Sequence, residues 1–460
     1  MDTFSMLLRN SVVGIEEKVP LVSGERRTAI NFDNAATTPP FHSVMREIRN
    51  FAPWYSSVHR GAGYKSVLSS NLYEKARDTV SEFVKADAQR DVVIFTKGTT
   101  EAINLLAYKI SQQDRSRVVL VTEMEHLANV LPWRFACQSD FVSVDASGRL
   151  SLEDLETKLV KYKGKVRLVA VTGASNVTGY MNPVYRIARL AHQYGAEILV
   201  DGAQWVPHCP VDMRPHQSKE HIDYLVFSAH KMYAPFGAGV LIGHKDLFQQ
   251  GPPFCKGGGT VNLVTHELVD WDDSPQRDEA GSPNVMGVAA LIAAIETLQC
   301  MNMNTLYEHE KQLTDYAIKG LKSVPGIKLY GEAGLAEKRV SLVSFTAEGI
   351  HHSNVAKILS YEGAIAVRSG LFCAHPYVQK LLCLSKEELQ YCHEHPDEPL
   401  PGLVRISFGI YNNCREVDAF LEIIAWMMRH RRKLDEKYRC IENDADYPRW
   451  LLKPVKKRAP

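Results

Sequence analysis

Two short apolar runs in the middle of the chain end on polar residues at their C-terminal ends, and they constrain the fold more than any other feature. The first is Glu197-Ile198-Leu199-Val200-Asp201-Gly202-Ala203-Gln204, and the second is Asp223-Tyr224-Leu225-Val226-Phe227-Ser228-Ala229-His230-Lys231-Met232. Each run has the length and continuous hydrophobicity of a parallel strand buried on both faces. Open α/β sheets bind their ligands at the carboxyl ends of such strands, where these runs carry an acid, a serine, a histidine and a lysine.

The rest of the chain agrees with this reading. From Ile30 to about Gly281, short apolar runs alternate with helical stretches, as in a mainly parallel sheet. The strands are expected at 92–95, 117–122, 141–144, 166–172, 198–200, 224–227 and 239–242, with helices at 101–110, 152–161 and 185–194. A long periodic apolar stretch over 288–322 reads as one or two helices leading into a second domain. That domain has strands near 327–330, 339–345, 364–367 and 403–408 and a helix near 416–429. The expected divisions are an N-terminal arm over 1–30, a large domain over 31–285, a small α+β domain over 286–435 with an insertion at about 376–402, and a tail over 436–460. At 460 residues, two domains around a shared site are expected.

Charge and cysteine content narrow the partners. The 54 basic and 53 acidic residues balance to a formal charge of +1, which gives no electrostatic footprint for nucleic acid or an anionic membrane. The basic run Lys453-Pro454-Val455-Lys456-Lys457-Arg458 reads as solvated tail. No stretch reaches the roughly 18 apolar residues that span a bilayer, and the N-terminus has no basic segment followed by an apolar core. Nine scattered cysteines without framework spacing fit a reducing compartment. The expectation is a cytoplasmic protein.

An acid at the end of one strand and a lysine after the next are what pyridoxal phosphate chemistry requires. Lys231 is placed to hold the aldehyde as a Schiff base, and Asp201 to keep the pyridine nitrogen protonated. A lone lysine after a strand is ordinarily a surface residue. Here Ser228 and His230 add donors for a phosphate, and Gln204 lies within reach of the ring hydroxyl. The segment from Thr96 to Asn104 follows a strand and opens a helix, so its N–H groups, with Thr99 and Thr100, form a second half of the phosphate cup. The plain reading of that turn is an N-cap. His126 follows another strand end, where an imidazole could stack on a ring and move protons or could merely cap a helix.

These motifs resemble those of class V, fold-type I pyridoxal-phosphate enzymes. The resemblance is carried by Asn31-Phe32-Asp33-Asn34-Ala35-Ala36-Thr37-Thr38-Pro39, Val58-His59-Arg60-Gly61, Lys97-Gly98-Thr99-Thr100-Glu101 and Glu125-His126-Leu127-Ala128-Asn129. It continues through Ser175-Asn176-Val177-Thr178-Gly179, Val200-Asp201-Gly202-Ala203-Gln204, Ser228-Ala229-His230-Lys231 and Glu279-Ala280-Gly281-Ser282-Pro283-Asn284. Within the class the chain is most similar to group II cysteine desulfurases and selenocysteine lyases. The resemblance implies a fold-type I transferase with a mainly parallel seven-stranded sheet, and a homodimer with shared active sites. Lys231, Asp201, Gln204, His126, Thr100, Ser228 and His230 would engage the cofactor, and Ser282 would reach it from the other subunit. His59, Arg60, Asn176, Arg368 and Arg405 would engage an amino-acid substrate, Arg405 taking its carboxylate. Cys373, in Arg368-Ser369-Gly370-Leu371-Phe372-Cys373, would take the sulfur as a persulfide when cysteine (or selenocysteine) is converted to alanine, with a sulfur-acceptor protein as its partner. That chemistry needs a thiolate, which a cation such as Arg368 favours.

Two features depart from that group. Leu371-Phe372 stands where its members carry His-His, and the stretch between Cys373 and Arg405 is long. The stretch contains His375, Cys383, Cys392, His393 and His395, but their spacing matches no zinc pattern, so a lid over the site is expected there and no metal. The rival reading is other class V chemistry, such as epimerisation, another β- or C–S lysis, or transamination, which would not use Cys373. A scaffold that has lost its chemistry is a third.

Overall fold

The computed structural model describes residues 3–114, 116–331 and 338–439. The basic run at 453–458 lies outside them. Numbered in chain order, the strands of the central sheet are β1 (Asp91–Thr96), β2 (Val118–Thr122), β3 (Gln138–Val142), β4 (Val166–Thr172), β5 (Glu197–Asp201), β6 (Tyr224–Ser228) and β7 (Gly239–His244). Their order is β1-β7-β6-β5-β4-β2-β3, with only β7 antiparallel to its neighbours. All five residues of β2 and of β6 are buried, as a sheet covered on both faces demands. The expected strands appear, although 141–144 is displaced to Gln138–Val142, whose edge position leaves it only half-buried.

Two of the glycines on this sheet are forced by close approach. A Cβ on Gly239 would lie 2.3 Å from the Cα of Gly98, so β7 passes directly behind the turn that follows β1. A Cβ on Gly202 would lie 2.7 Å from Val206, so the chain can turn tightly after Asp201.

The small domain has a four-stranded sheet of β8 (Ile327–Tyr330), β9 (Leu342–Ala347), β10 (Arg368–Gly370) and β11 (Leu403–Ser407), ordered β8-β9-β11-β10. Its core includes Phe32, which meets Phe408 edge to face at 4.9 Å. The N-terminal segment is thereby stitched into it: Ile30–Asn31 pairs in parallel with Ile365–Ala366. The apolar stretch over 288–322 forms two helices, Val285–Cys300 and Met303–Lys322. Asn302 separates them, with φ of 65° and a side chain that caps the second helix. By packing, Val285–Cys300 belongs with the large core, because it is apolar all round and buried there. The change of core falls within Met303–Lys322, between Leu306 and Leu313, rather than at about 285. Among the described residues no single helix is long and apolar enough to cross a membrane.

The stretch after Cys373 folds as two helices, His375–Leu381 and Lys386–Glu394. The first docks on the large domain, with Tyr377 buried and its hydroxyl donating to the Gly148 carbonyl at 2.5 Å. The second opens on a Ser385/Glu388 capping box and buries no residue.

Candidate active site

The carboxyl ends of β1, β2, β4, β5 and β6 surround a cavity of about 640 Å³. Asp201, Lys231, His126, Gln204, Ser228, His230, Thr99, Thr100, Asn176, Arg368, Cys373 and Arg405 all line it. Sequence positions spread over some 300 residues thus converge at the strand ends, as the parallel topology requires.

Asp201 is the last residue of β5 and is buried, with one carboxylate oxygen accepting from the Ala203 N–H at 3.0 Å. Burial raises its pKa, while Ala203 and the charge of Lys231 pull the other way. Lys231 sits one turn beyond β6, and burial brings its ammonium down to about 8, with Asp201 opposing. The two groups stabilise each other's charge across one cavity.

In the same cavity, the Thr99 N–H donates to Ser228 Oγ at 2.9 Å, and the hydroxyls of Thr99 and Ser228 lie 2.7 Å apart. Thr99 opens the 15-residue helix Thr99–Gln113, so free N–H groups of its first turn add to the hydroxyls. His230 lies beside them, held well down at about 4 by burial and by Lys231. Its carbonyl accepts from the Thr38 N–H at 3.0 Å, and the Ala35 carbonyl accepts from Gln204 at 2.7 Å. This explains the motif from Asn31 to Pro39: it ties the small domain to the cavity floor.

His126 caps a turn and also faces the cavity. It caps the short turn Leu127–Asn129, its Nδ1 accepting from the Ala128 N–H at 3.0 Å, and it also lines the cavity. Burial, Lys231 and Arg405 hold it at about 4, so the ring is neutral with its proton on Nε2. Beneath it lies Glu125, a residue without an assigned role in the sequence reading. Its carboxyl is fully buried and raised to about 8 by that burial, and it accepts from Asn129 and from the Thr172 N–H at 2.7 and 2.8 Å.

Arg405 comes from β11 and is 3% exposed. It donates to the Asn176 carbonyl at 2.7 Å and to Asp33 at 3.3 Å, and its guanidinium lies 4.9 Å from the Phe372 ring. Its buried Nε has no hydrogen-bond partner among the described residues. Burial lowers Arg405 to about 10. Asp33, which its motif does not mark as a site residue, lies between Arg405 and Arg368, the latter at 3.7 Å.

Cys373 is exposed and stands on a turn in which Phe372 and Cys373 both take left-handed φ, 50° and 53°. Asn176 donates to the Phe372 carbonyl at 2.8 Å, and the Leu127 N–H to the Cys373 carbonyl at 2.6 Å. Cys373 also lines a second cavity of about 590 Å³, walled by Leu131, Phe135, Phe254 and Tyr108.

His59, Arg60 and Ser282 lie elsewhere. They share a separate cavity of about 340 Å³ and do not line the Lys231 cavity. The Ser282 loop is pinned by Glu279, which accepts from both terminal nitrogens of Arg77 at 2.8 and 2.9 Å and from Tyr73 at 2.8 Å.

Comparison with known proteins agrees with this geometry. A probable cysteine desulfurase of Streptomyces coelicolor is 34% identical over 405 residues, covering 85% of this chain and 90% of that one. The cysteine desulfurase of Shigella sonnei is 36% identical over 387 residues, 81% and 92% of the two chains. The chain spans only 54% of a probable cysteine desulfurase of Mycolicibacterium paratuberculosis, at 34% identity. Among solved structures, the apo cysteine desulfurase of Thermococcus onnurineus matches with a TM-score of 0.77 and 30% identity, over 87% of this chain and 95% of that one. A cysteine desulfurase of Escherichia coli matches with a TM-score of 0.77 and 27% identity, over 92% and 98%. The family model for aminotransferase class V matches residues 30–420, and the chain belongs to that family.

Proposed function

We propose that the protein is a pyridoxal-phosphate-dependent cysteine desulfurase, converting cysteine and the Cys373 thiol to alanine and a Cys373 persulfide. The observation that carries the reading is the position of Cys373. Its residue lines both the cavity of Lys231 and Asp201 and a second, more apolar cavity beside it. A sulfur held there faces the substrate on one side and an incoming acceptor on the other.

The donor set fits pyridoxal phosphate. Ser228, Thr99, Thr100 and His230 would hold the phosphate, Asp201 the pyridine nitrogen, Gln204 the ring oxygen, and Lys231 the aldehyde carbon. When bound, the cofactor supplies an electron-withdrawing ring that acidifies the Cα proton of an attached amino acid. The protein's side chains do the rest. Arg405 and Asn176 orient the substrate, and the unsatisfied Nε of Arg405 is a donor awaiting a carboxylate. With a pKa of about 8, Lys231 is within reach of its free amine at neutral pH and removes the Cα proton. The Cys373 thiolate then attacks the substrate sulfur: an S–S bond forms, the C–S bond breaks, and protonation of carbon completes alanine.

Selenocysteine would meet the same groups. A homodimer is supported by His59, Arg60 and Ser282, which cluster away from this chain's own cavity, and by the hairpin Val261–Val264/Val269–Trp271, which exposes Leu263, Val264, Leu268 and Val269. An acceptor protein at the second cavity and a reducing cytosol complete the proposal. Replacing Cys373 by Ser tests it. The variant is expected to retain the cofactor and its absorption but lose alanine formation from cysteine by orders of magnitude. Full turnover by Cys373→Ser would instead support class V chemistry without a persulfide.

A further inference from the structure

At the end of the sheet far from Lys231, four potential metal ligands meet that the sequence scatters over more than 150 positions. Asp91 opens β1 and His244 closes β7, and the antiparallel register sets them opposite each other. His216 and His221 come from the long connection between β5 and β6. One ligand atom from each of the four lies within 4.8 Å of every other. With about 3.4 Å per residue along β1, the cluster is about 17 Å from the end of that strand at the cavity.

The histidines are arranged as ligands rather than as an ordinary surface group. His221 is 2% exposed, and its Nδ1 faces the carbonyls of Arg214 at 2.7 Å and Met213 at 3.1 Å. Carbonyls only accept, so the ring proton is on Nδ1 and Nε2 presents a lone pair. That buried Nε2 has no partner among the described residues. A ring held by a backbone carbonyl through one nitrogen, with the other bare, is the arrangement that outer-shell partners give a metal-binding histidine. His244 has such a partner in Asp223, at 2.9 Å from its Nε2, and Asp223 is in turn bonded to His192 at 2.8 Å. His216 and Asp91 touch directly, Nε2 to Oδ1 at 3.0 Å, a separation that two ligands of one ion can share. The His216 and His221 rings are 4.0 Å apart. A cavity of about 500 Å³, lined by His216, His244, Arg90 and Glu197, joins the cluster to the surface.

We propose that Asp91, His216, His221 and His244 bind one zinc ion. Three imidazoles and a carboxylate make an N₃O donor set, which suits zinc in its usual tetrahedral coordination and is poor for calcium or magnesium. At zinc–ligand lengths of about 2.0–2.1 Å, the ligand atoms close to roughly 3.4 Å apart, which small side-chain rotations provide. The ion clips the connection before β6 to the outer strand pair, at the end of the sheet away from the chemistry. Its role is structural, since all four ligands are protein side chains.

The test uses the full-length holoenzyme, stripped with a chelator, titrated with zinc, dialysed and analysed for metal. One retained equivalent is expected in the wild type and in Cys373→Ser, and none in the His216→Ala/His244→Ala variant. Zinc should raise the melting temperature of the first two proteins only. Cobalt in place of zinc should give tetrahedral visible bands without a thiolate charge-transfer band. Should the double alanine variant not fold, Asp91→Asn/His216→Gln keeps polar side chains of similar size and carries the same expectation. Equal zinc retention by the ligand variants, a thiolate band that disappears in Cys373→Ser, or no retention by the wild type would each overturn the assignment.

Discussion

Burial decides the chemistry of the individual residues. His126 and His230 sit near pKa 4 against an ordinary value of 6.5, the first cause in each case being burial. Between those values the unfolded chain binds more protons than the folded one, so stability is lost as pH falls from 6.5 toward 4. Urea unfolding at pH 7 and pH 5 should show that loss, and His126→Asn should reduce it; an unchanged slope would remove His126 from the account. Asp201→Ala should lose activity by orders of magnitude while unfolding at nearly the wild-type denaturant concentration, because Asp201 holds charge in a dry site and burial already disfavours its carboxylate in the folded chain. Near-native turnover by this variant would refute the role. Lys231, Asp201 and Ser228 were legible because each follows a buried run whose direction fixes where its end must lie. Glu125 and Asp33 were not, since their meaning lies in partners from other strands: Thr172 for one, Arg405 for the other.

Close approach governs the elements. Gly239 lets β7 pass behind the turn at Gly98, and Gly239→Ala should destabilise the protein by about 1–3 kcal/mol through overpacking and weaken cofactor retention. Denaturant melts and cofactor dissociation measure the two effects; a neutral outcome in both would mean the turn is not held by that strand. The helix His375–Leu381 is docked by the Tyr377 hydroxyl on Gly148, next to the turn that carries Cys373. Tyr377→Phe leaves the Gly148 carbonyl without this donor, at about 1–2 kcal/mol, and should increase proteolysis of the segment after Cys373. Period and length were enough to find the inner strands, but the edge strand β3 runs over Gln138–Val142 instead of the expected 141–144. Half-buried and pressed from one side only, it lacks the continuous apolar run that marks the inner strands. The long stretch after Cys373 read as a lid; its helices were hidden by polar composition, since Lys386–Glu394 buries nothing and rests on its cap.

In the whole molecule, function depends on two bodies meeting over one cavity. Arg405 and Cys373 come from the second body, while Lys231 and Asp201 come from the first. The segment holding Phe32 belongs to the small core although the expected division places it in the large domain over 31–285, a closure that no local pattern displays. The helix Val285–Cys300 misled in the opposite way: it is apolar on every side, so its composition could not say which core buries it. If the sites are shared between subunits, co-expressed Lys231→Ala and Arg60→Ala chains should form mixed dimers with one intact site. Activity above that of either homodimer is expected, and its absence would confine each site to one chain. The most direct test of the whole account is peptide mass spectrometry of the holoenzyme after a single turnover with cysteine. One added sulfur on Cys373, released as the thiol by a reductant and accompanied by an equivalent of alanine, is the predicted result; alanine formed while Cys373 stays unmodified and the sulfur leaves directly as sulfide would contradict it.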